Sequence, residues 1–404
     1  MYILCIDFLY IVIHSVLPYI HTAYLMSFSS LSLYIHIPWC IKKCPYCDFN
    51  SHAVKNTLPE FIYIDTLLKD LSNDIDLYNL YEKKLHSIFI GGGTPSLFSA
   101  EAFFRLFTGI KQQLAFSENI EITLEANPGT FEIEKFAEFQ QLGINRLSIG
   151  IQSFNDAMLK KLGRIHSANE AIRAIEMAHH VGFTNINIDL MYGLPNATRQ
   201  TNRYDIETAI KLKPTHISYY QLTFEPNTLF YKYPPSVPTD DHIFTMQCDA
   251  QTLLASAGYQ QYEISAYSQE DKQCRHNVNY WQFGDYLGIG AGAHGKISVE
   301  RPDKIIRTMK PKHPEHYEHN LYQKSLTQSI SNQELPIEFL MNHLRLKEGF
   351  TLQQYAQTTG LTSDTLEPAL STCVNDGLLH FAQKSYFCSK KGWDFLDNIL
   401  ERFI

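Results

Sequence analysis

Cys40, Cys44 and Cys47 fall within eight residues, Cys40-Ile41-Lys42-Lys43-Cys44-Pro45-Tyr46-Cys47, and this C-x3-C-x2-C triplet constrains the chain more than any other pattern in it. Three thiolates in one short loop suit a soft-metal centre. The next cysteine is Cys248, so the local ligand count stops at three. Three thiolates on a [4Fe–4S] cube leave one iron without a protein ligand, open to a small chelating molecule. Zinc is the rival. A structural zinc site closes four ligands and favours paired C-x2-C knuckles, so His36 or Asp48 would have to complete it. Spacing favours the cluster and leaves zinc open.

With 404 residues the chain has room for one large domain and a smaller one. A formal charge of −8 argues against broad contact with a phosphate backbone, which needs clustered Lys and Arg, so no nucleic-acid partner is expected. Eight cysteines in so long a chain, three of them in one motif, do not make a disulfide scaffold. A reducing, cytoplasmic compartment is the better reading. Residues 1–30 form an apolar extension in which no Lys or Arg precedes Lys42, so the basic start of a signal peptide is missing. Asp7, His14 and Pro18 interrupt it short of the ~20 apolar residues of a spanning helix. The preferred start is Met26, with a weak anchor and peripheral membrane association as the second reading.

Residues 31–230 alternate β-rich runs with amphipathic ones. Strands are expected at Leu31–Ile37, Leu85–Ile90, Ile120–Glu125, Arg146–Ile151, Asn185–Leu190 and His216–Leu222, and helices at Leu58–Leu80, Ala100–Leu114, Thr130–Leu142 and Ala168–Val181. Such alternation predicts an α/β fold of right-handed βαβ units on a parallel sheet. A partial barrel and a doubly wound open sheet fit equally well, and both place functional residues at the carboxyl ends of the strands. There the sequence offers Gly91-Gly92-Gly93-Thr94-Pro95, Glu125, Gln152 followed by Arg164, and Asp189. The glycines would let backbone amides approach a polar ligand. Taken singly, each of these is as well explained by turn geometry or a solvated polar group. Residues 231–333 complete the barrel region and contain His276-Asn277-Val278-Asn279-Tyr280-Trp281, then the Gly-rich run 286–295. Residues 334–404 read as helices at Phe339–Leu346, Leu352–Thr359 and Thr365–Asp376 followed by a hairpin over Phe381–Cys388, a winged-helix-like order. The third helix carries Glu367 and Asp376 but no Lys or Arg, which argues for a structural or lid role over DNA binding.

Tyr34-Ile35-His36-Ile37-Pro38-Trp39-Cys40 together with Cys47-Asp48-Phe49 resembles the opening of radical S-adenosylmethionine (SAM) proteins. More narrowly it resembles the branch that holds oxygen-independent coproporphyrinogen III oxidase and the HemW heme chaperones. The resemblance runs from about Tyr34 to the C-terminus. It implies a partial (β/α)6 barrel with a small C-terminal domain. It also implies a [4Fe–4S] cluster on Cys40, Cys44 and Cys47, whose open iron binds SAM and whose electron cleaves it to a 5′-deoxyadenosyl radical. Gly92, Gly93, Thr94, Glu125, Gln152, Arg164 and Asp189 match the SAM-lining positions in order, and Tyr34 and Tyr46 match residues flanking the cluster. His276, Tyr280 and Trp281 match the H-N-x-x-Y-W signature associated with heme in the HemW branch, where imidazole can ligate iron and rings can stack.

Two functions follow on nearly one scaffold: a radical dehydrogenase of coproporphyrinogen III, or a heme-delivery protein without that activity. The oxidases have a further cysteine two residues after the third ligand, where this chain has Phe49, and a longer arm before the motif than the 33 residues preceding Tyr34. Both departures favour the chaperone. Its implied partners are heme, heme-accepting apoproteins and a reductant for the cluster. Radical modification of some other substrate is a third reading, since scaffold does not fix substrate. Catalytic residues are not assigned.

Overall fold

A computed structural model describes residues 30–55, 57–129, 133–299, 304–319 and 326–404. The apolar extension before residue 30, with Met26, lies outside them, as do residues 130–132 of the expected helix Thr130–Leu142. The six expected strands form as β1 Ser30–Ile37, β2 Lys84–Gly92, β3 Ala115–Ala126, β4 Arg146–Gln152, β5 Ile186–Tyr192 and β6 His216–Gln221, parallel and adjacent in chain order.

Strand period decides which face does what. Leu31, Leu33, Ile35 and Ile37 of β1 are fully buried and share one core with Ile88, Ile90, Leu124, Leu147, Ile149, Ile188 and Ile217 of its neighbours. That core is covered by the apolar sides of α1 Glu60–Tyr78, α2 Ala100–Gln113, α3 Phe136–Gln141, α4 Ala168–His180 and α5 Arg199–Leu212. The alternate positions point the other way and are polar: Ser32, Tyr34 and His36 on β1, Ser87 on β2, Glu121, Thr123 and Glu125 on β3, Ser148 on β4, Asn187 and Asp189 on β5. Side chains on this inner face bond to one another, as Ser32 Oγ does to Ser87 Oγ at 2.8 Å. One face of the sheet is therefore a hydrophobic core and the other a polar interior available for chemistry. Helix ends are set locally: α4 begins in a capping box of Ser167 and Glu170.

The region after β6 extends both edges of the sheet. After α6 Asp240–Ser256, β7 Gln260–Glu263 and β8 Ala266–Ser268 add antiparallel strands beside β6. The short helix α7 Arg275–Trp281 follows, and β9 Tyr286–Ile289 then returns to pair in parallel with β1. Antiparallel β10 His294–Val299, β11 Lys304–Met309 and β12 Leu326–Ser329 complete a twelve-stranded sheet. The Gly-rich run joins β9 to β10, and its glycines face crowded backbone. A Cβ on Gly290, at φ +106°, would sit 2.4 Å from the His36 carbonyl oxygen, and one on Gly288 would meet that of His294 at 1.9 Å.

The C-terminal part has its own core, with Phe339, Leu340, Phe350, Tyr355, Leu370, Cys373 and Leu379, joined to the sheet through Phe283 and Ile305. Its helices are α8 Leu335–His343, α9 Leu352–Thr359 and α10 Ala369–Asn375, followed by the hairpin β13 Leu379–Ala382 and β14 Ser385–Cys388. The third helix starts later than the expected Thr365, because Pro368 lacks a backbone donor and biases Glu367 away from the helical region.

Candidate functional site

The cysteine loop leaves β1 after Ile37 and is closed at its base. Trp39 and Cys40 pair with His52 and Ala53, and the backbone N–H of His52 donates to the Pro38 carbonyl at 2.7 Å. The three thiols form no disulfide and are partly buried: Cys40 stands at the base of the loop, while Cys44 and Cys47 lie further along it, where Cys47 N–H donates to the Cys44 carbonyl in a turn. Burial pushes the Cys40 and Cys47 thiols above their ordinary pKa, so holding them as thiolates needs nearby positive charge. One source is Arg164. Its Nη1 lies 3.8 Å from Cys44 Sγ, while Nη2 donates to Asn127 Oδ1 at 2.8 Å and the Gly150 carbonyl at 2.7 Å. Arg164 Nε is buried and has no hydrogen-bond partner.

This donor set fits an iron–sulfur cube better than zinc. A cube spreads its thiolates over separate irons, whereas one zinc needs four ligands converging on a point. Among the described residues, no three His, Cys, Asp or Glu side chains converge in that way. His36, one candidate fourth ligand, has both ring nitrogens engaged, with the Tyr34 hydroxyl and the Asn50 carbonyl, each at 2.9 Å. Burial lowers its pKa to about 4, so it is a neutral ring locked in place. Asp48, the other, is exposed.

The glycine triplet is a place of close approach between backbone segments. Gly92 N–H donates to Glu125 Oε2 at 3.1 Å, Gly93 N–H to the Ile37 carbonyl and Thr94 N–H to the Trp39 carbonyl, both at 2.7 Å. These three amides bind within the protein: Gly92 to β3, Gly93 to the end of β1 and Thr94 to the start of the cysteine loop. A Cβ on Gly92, at φ +109°, would lie 2.4 Å from His36 Cε1, and one on Gly93 would lie 2.4 Å from the Trp39 carbonyl oxygen.

The side chains at the strand ends do converge. Glu125 is pushed up to about 8, first by burial and then by the charge of Asp189, with the Gly92 N–H opposing. Asp189 is raised by burial and accepts from Asn187 Nδ2 at 2.8 Å. Gln152, in left-handed backbone at φ +72°, takes the Tyr220 hydroxyl on Oε1 at 2.8 Å. Gly150 leaves room for this: a Cβ there would stand 3.2 Å from Gln152 Nε2. Burial raises the Tyr34 and Tyr46 hydroxyls. Tyr34 stays bonded to His36, and Tyr46 packs beside Phe230. Two half-buried carboxylates, a guanidinium and an amide thus gather at the carboxyl ends of β3, β4 and β5, a set of groups able to meet an ammonium and a carboxylate.

The H-N-x-x-Y-W segment sits at the other end. Helix α7 enters the interior beside Ser87 of β2 and Glu121 midway along β3, where the Glu121 carboxylate accepts the Arg275 and His276 backbone N–H groups, each at 3.2 Å. His276 is 1% exposed, with Nδ1 bonded to Ser87 Oγ at 3.0 Å and Nε2 to the Tyr280 hydroxyl at 2.8 Å. Burial drives its pKa far down, so the ring is neutral with both nitrogens committed. As an iron ligand it has no nitrogen to offer without breaking that network. The expected heme residue His276 is thus a ring whose two nitrogens are bonded within the interior polar layer. Tyr280, one helical turn on from His276, shares its face of the helix and packs between it and Tyr286, and both Tyr280 and Trp281 are half-buried.

Several positioning residues escaped the sequence reading. Tyr63 on α1 donates to the His36 carbonyl at 2.9 Å and accepts the Ala291 N–H at 2.8 Å, pinning the Gly-rich run to β1. Asn50 Nδ2 lies 2.8 Å from both the Ala291 and Lys312 carbonyls, which holds the cysteine loop from behind. Asn127 bridges Arg164 to Thr94 Oγ1 at 2.8 Å. Asn50 and Asn127 each lie within three residues of a motif, the only signal that pointed to them. Tyr63 gave none.

Comparison with known proteins bears on the whole chain. The Radical SAM superfamily model matches residues 34–208, and the HemN C-terminal domain model matches residues 330–395. The chain is 48% identical over 378 residues to the heme chaperone HemW of Haemophilus influenzae, covering 93% of this chain and 98% of that protein. It is 46% identical over 375 residues to HemW of Escherichia coli, with the same coverage, and 33% identical over 371 residues to HemW of Bacillus subtilis, covering 89% and 96%. Coproporphyrinogen III oxidase (HemN) from Escherichia coli superposes with a TM-score of 0.78 over 95% of this chain and 93% of that one, at 21% identity, a likeness of fold alone.

Proposed function

We propose, because this chain belongs to the HemW heme chaperone family within the radical SAM superfamily, that it binds heme and delivers it to acceptor apoproteins. The observation that carries this reading is 46–48% identity to named heme chaperones along nearly the whole of both chains. Cys40, Cys44 and Cys47 are the residues to hold a [4Fe–4S] cluster, and Arg164 offsets the charge of the thiolate edge. A cluster with SAM bound supplies reducing and radical-forming power to such a site.

The chain's own residues do the holding. Burial disfavours Glu125 and Asp189 as anions, and the Asp189 charge adds to this for Glu125. An ammonium placed between them relieves both penalties, and that recommends them for the amino group of SAM. Gln152 and Arg164 are the polar groups for its carboxylate, and Gly92, Gly93 and Thr94 keep the wall of the pocket against the cysteine loop. Tyr34 and Tyr46 flank the cluster as neutral rings. For heme, the half-buried rings of Tyr280 and Trp281 are the aromatic groups at hand, while His276 becomes a ligand only by releasing Ser87 and Tyr280. A reductant for the cluster and a cytoplasmic setting belong to the same proposal. Among the described residues no helix is long and apolar enough to cross a membrane.

The competing reading is coproporphyrinogen III dehydrogenation. Against it stands Phe49, 57% exposed at the position where the resembling oxidases have a cysteine. An anaerobic incubation of the cluster-bearing chain with coproporphyrinogen III, SAM and reductant separates the two. The chaperone reading expects the substrate to stay intact, and catalytic formation of protoporphyrinogen would overturn it.

A further inference from the structure

One cavity borders the proposed stacking residues Tyr280 and Trp281, and its remaining lining has no role above. It lies outside the polar interior, between helix α7, the sheet extension and the C-terminal domain, and its volume is about 130 Å³. Tyr280, Trp281, Tyr286 and Arg307 are among its lining residues. Its polar groups are mostly donors. Arg307 on β11 donates from Nη1 to the Tyr286 hydroxyl at 3.0 Å. The indole Nε1 of Trp281 is buried and has no hydrogen-bond partner, an uncommon state for a Trp N–H. Over the same indole stands the Arg345 guanidinium, 4.4 Å from the ring centroid, which anchors the ring while leaving its N–H unused.

The acceptor that meets this cationic wall comes from the C-terminal domain. Arg307 Nη2 is ion-paired to Glu338 Oε2 on α8, and both side chains remain about one-third exposed. A guanidinium gripping a carboxylate at the rim of a cavity, beside a vacant indole donor, is the chemistry that recognises a carboxylate ligand. The cavity is too small for a macrocycle, since sites for drug-sized ligands begin near ~300 Å³. It suits a single short carboxylate arm, with the flat body of the ligand resting outside against Tyr280 and Trp281.

We infer that Arg307 and the Trp281 indole N–H form a carboxylate subsite for one propionate of the bound tetrapyrrole, and that Glu338 occupies the Arg307 side of it when no ligand is present. This rests on the heme-binding reading above and adds to it. The ligand exchanges one carboxylate for another on Arg307, so loading loosens the tie between the C-terminal domain and the sheet. It breaks that tie without leaving a buried charge unpaired.

The test is equilibrium titration of the cluster-bearing full chain with heme and with heme dimethyl ester, which keeps the ring and removes both carboxylates. The parent is expected to bind heme more tightly than the ester. In Arg307→Gln, loss of charge-assisted hydrogen bonds should weaken heme by about 10- to 150-fold while leaving the ester unchanged. In Glu338→Gln, removal of the competitor should tighten heme and leave the ester unchanged. Because Glu338 is partly exposed, that variant decides the matter even if Arg307→Gln does not fold. Equal effects on heme and ester in either variant, or no gain for heme in Glu338→Gln, would overturn the subsite. If the parent binds neither compound, the heme reading itself fails and this inference falls with it.

Discussion

Gly92→Ala tests how the cysteine loop is held, and its cost can be worked from the structure. Gly92 has φ +109°, where an L side chain is strained by about 1–3 kcal/mol. The new Cβ would stand 2.4–2.7 Å from three atoms of the His36 ring, and this ring cannot swing freely. Moving it breaks the hydrogen bonds to the Tyr34 hydroxyl and the Asn50 carbonyl, each contributing about 0.5–1.5 kcal/mol. The sum is about 2–6 kcal/mol. Gly143→Ala supplies the control, because Gly143 has φ +96° but nothing within 4 Å of where the added methyl would stand, so it carries strain without collision. Chemical denaturation of both variants should show Gly92→Ala the less stable by roughly the hydrogen-bond share, about 1–3 kcal/mol. Because Asn50 belongs to the cysteine loop, iron and sulfide per chain after anaerobic reconstitution should also fall in Gly92→Ala alone. Equal stability of the two variants with full cluster content in both would refute the role of the triplet as a brace for the loop.

Three other outcomes follow from the same geometry. Replacing Cys40, Cys44 or Cys47 singly by Ala should abolish the broad visible absorbance near ~400 nm expected of a thiolate-bound cluster, and stoichiometric zinc with no reconstitutable cluster would contradict the donor assignment. Lys310 is 3% exposed and donates to Asp70 at 2.6 Å and Asp74 at 2.8 Å, so Lys310→Met strands two buried acids and should cost about 3–5 kcal/mol by denaturant titration. Glu125 has a folded pKa raised from 4.5 to about 8, so its contribution to stability is complete below pH 4.5 and is lost as pH rises through about 8. Glu125→Gln should therefore flatten the decline of the SAM-free protein's stability across that window, and an unchanged slope would count against a buried, uncompensated carboxylate.

The parallel sheet was legible because apolar rows at alternate positions of β1–β6 recur between amphipathic stretches, and period 2 sends those rows to the helices. The polar row on the other face was readable in the same strands, yet its use was not. Glu121 caps α7 and Ser87 holds His276 only because residues more than 150 positions apart meet inside the barrel. Separation in sequence also hid Tyr63, whose hydroxyl joins His36 to Ala291, 228 positions away from it. Sequence spacing does locate the cysteine loop, since three ligands in eight residues are a local signal. Strands β9–β12 gave no warning: they are four to six residues long, and one of them, β12, is exposed along its whole length, so no hydrophobic period marks it.

The central claim is that this chain carries heme to an acceptor, and the most direct measurement is transfer by contact. The chain, cluster reconstituted and loaded with one equivalent of heme, is mixed anaerobically with a heme-free hemoprotein, and a parallel sample separates the two by a membrane that passes free heme. Visible spectra of the acceptor report the rate in each. Delivery by the chain predicts faster filling of the acceptor when the proteins touch. Equal rates in the two arrangements, or a chain that retains no heme at the start, would contradict it.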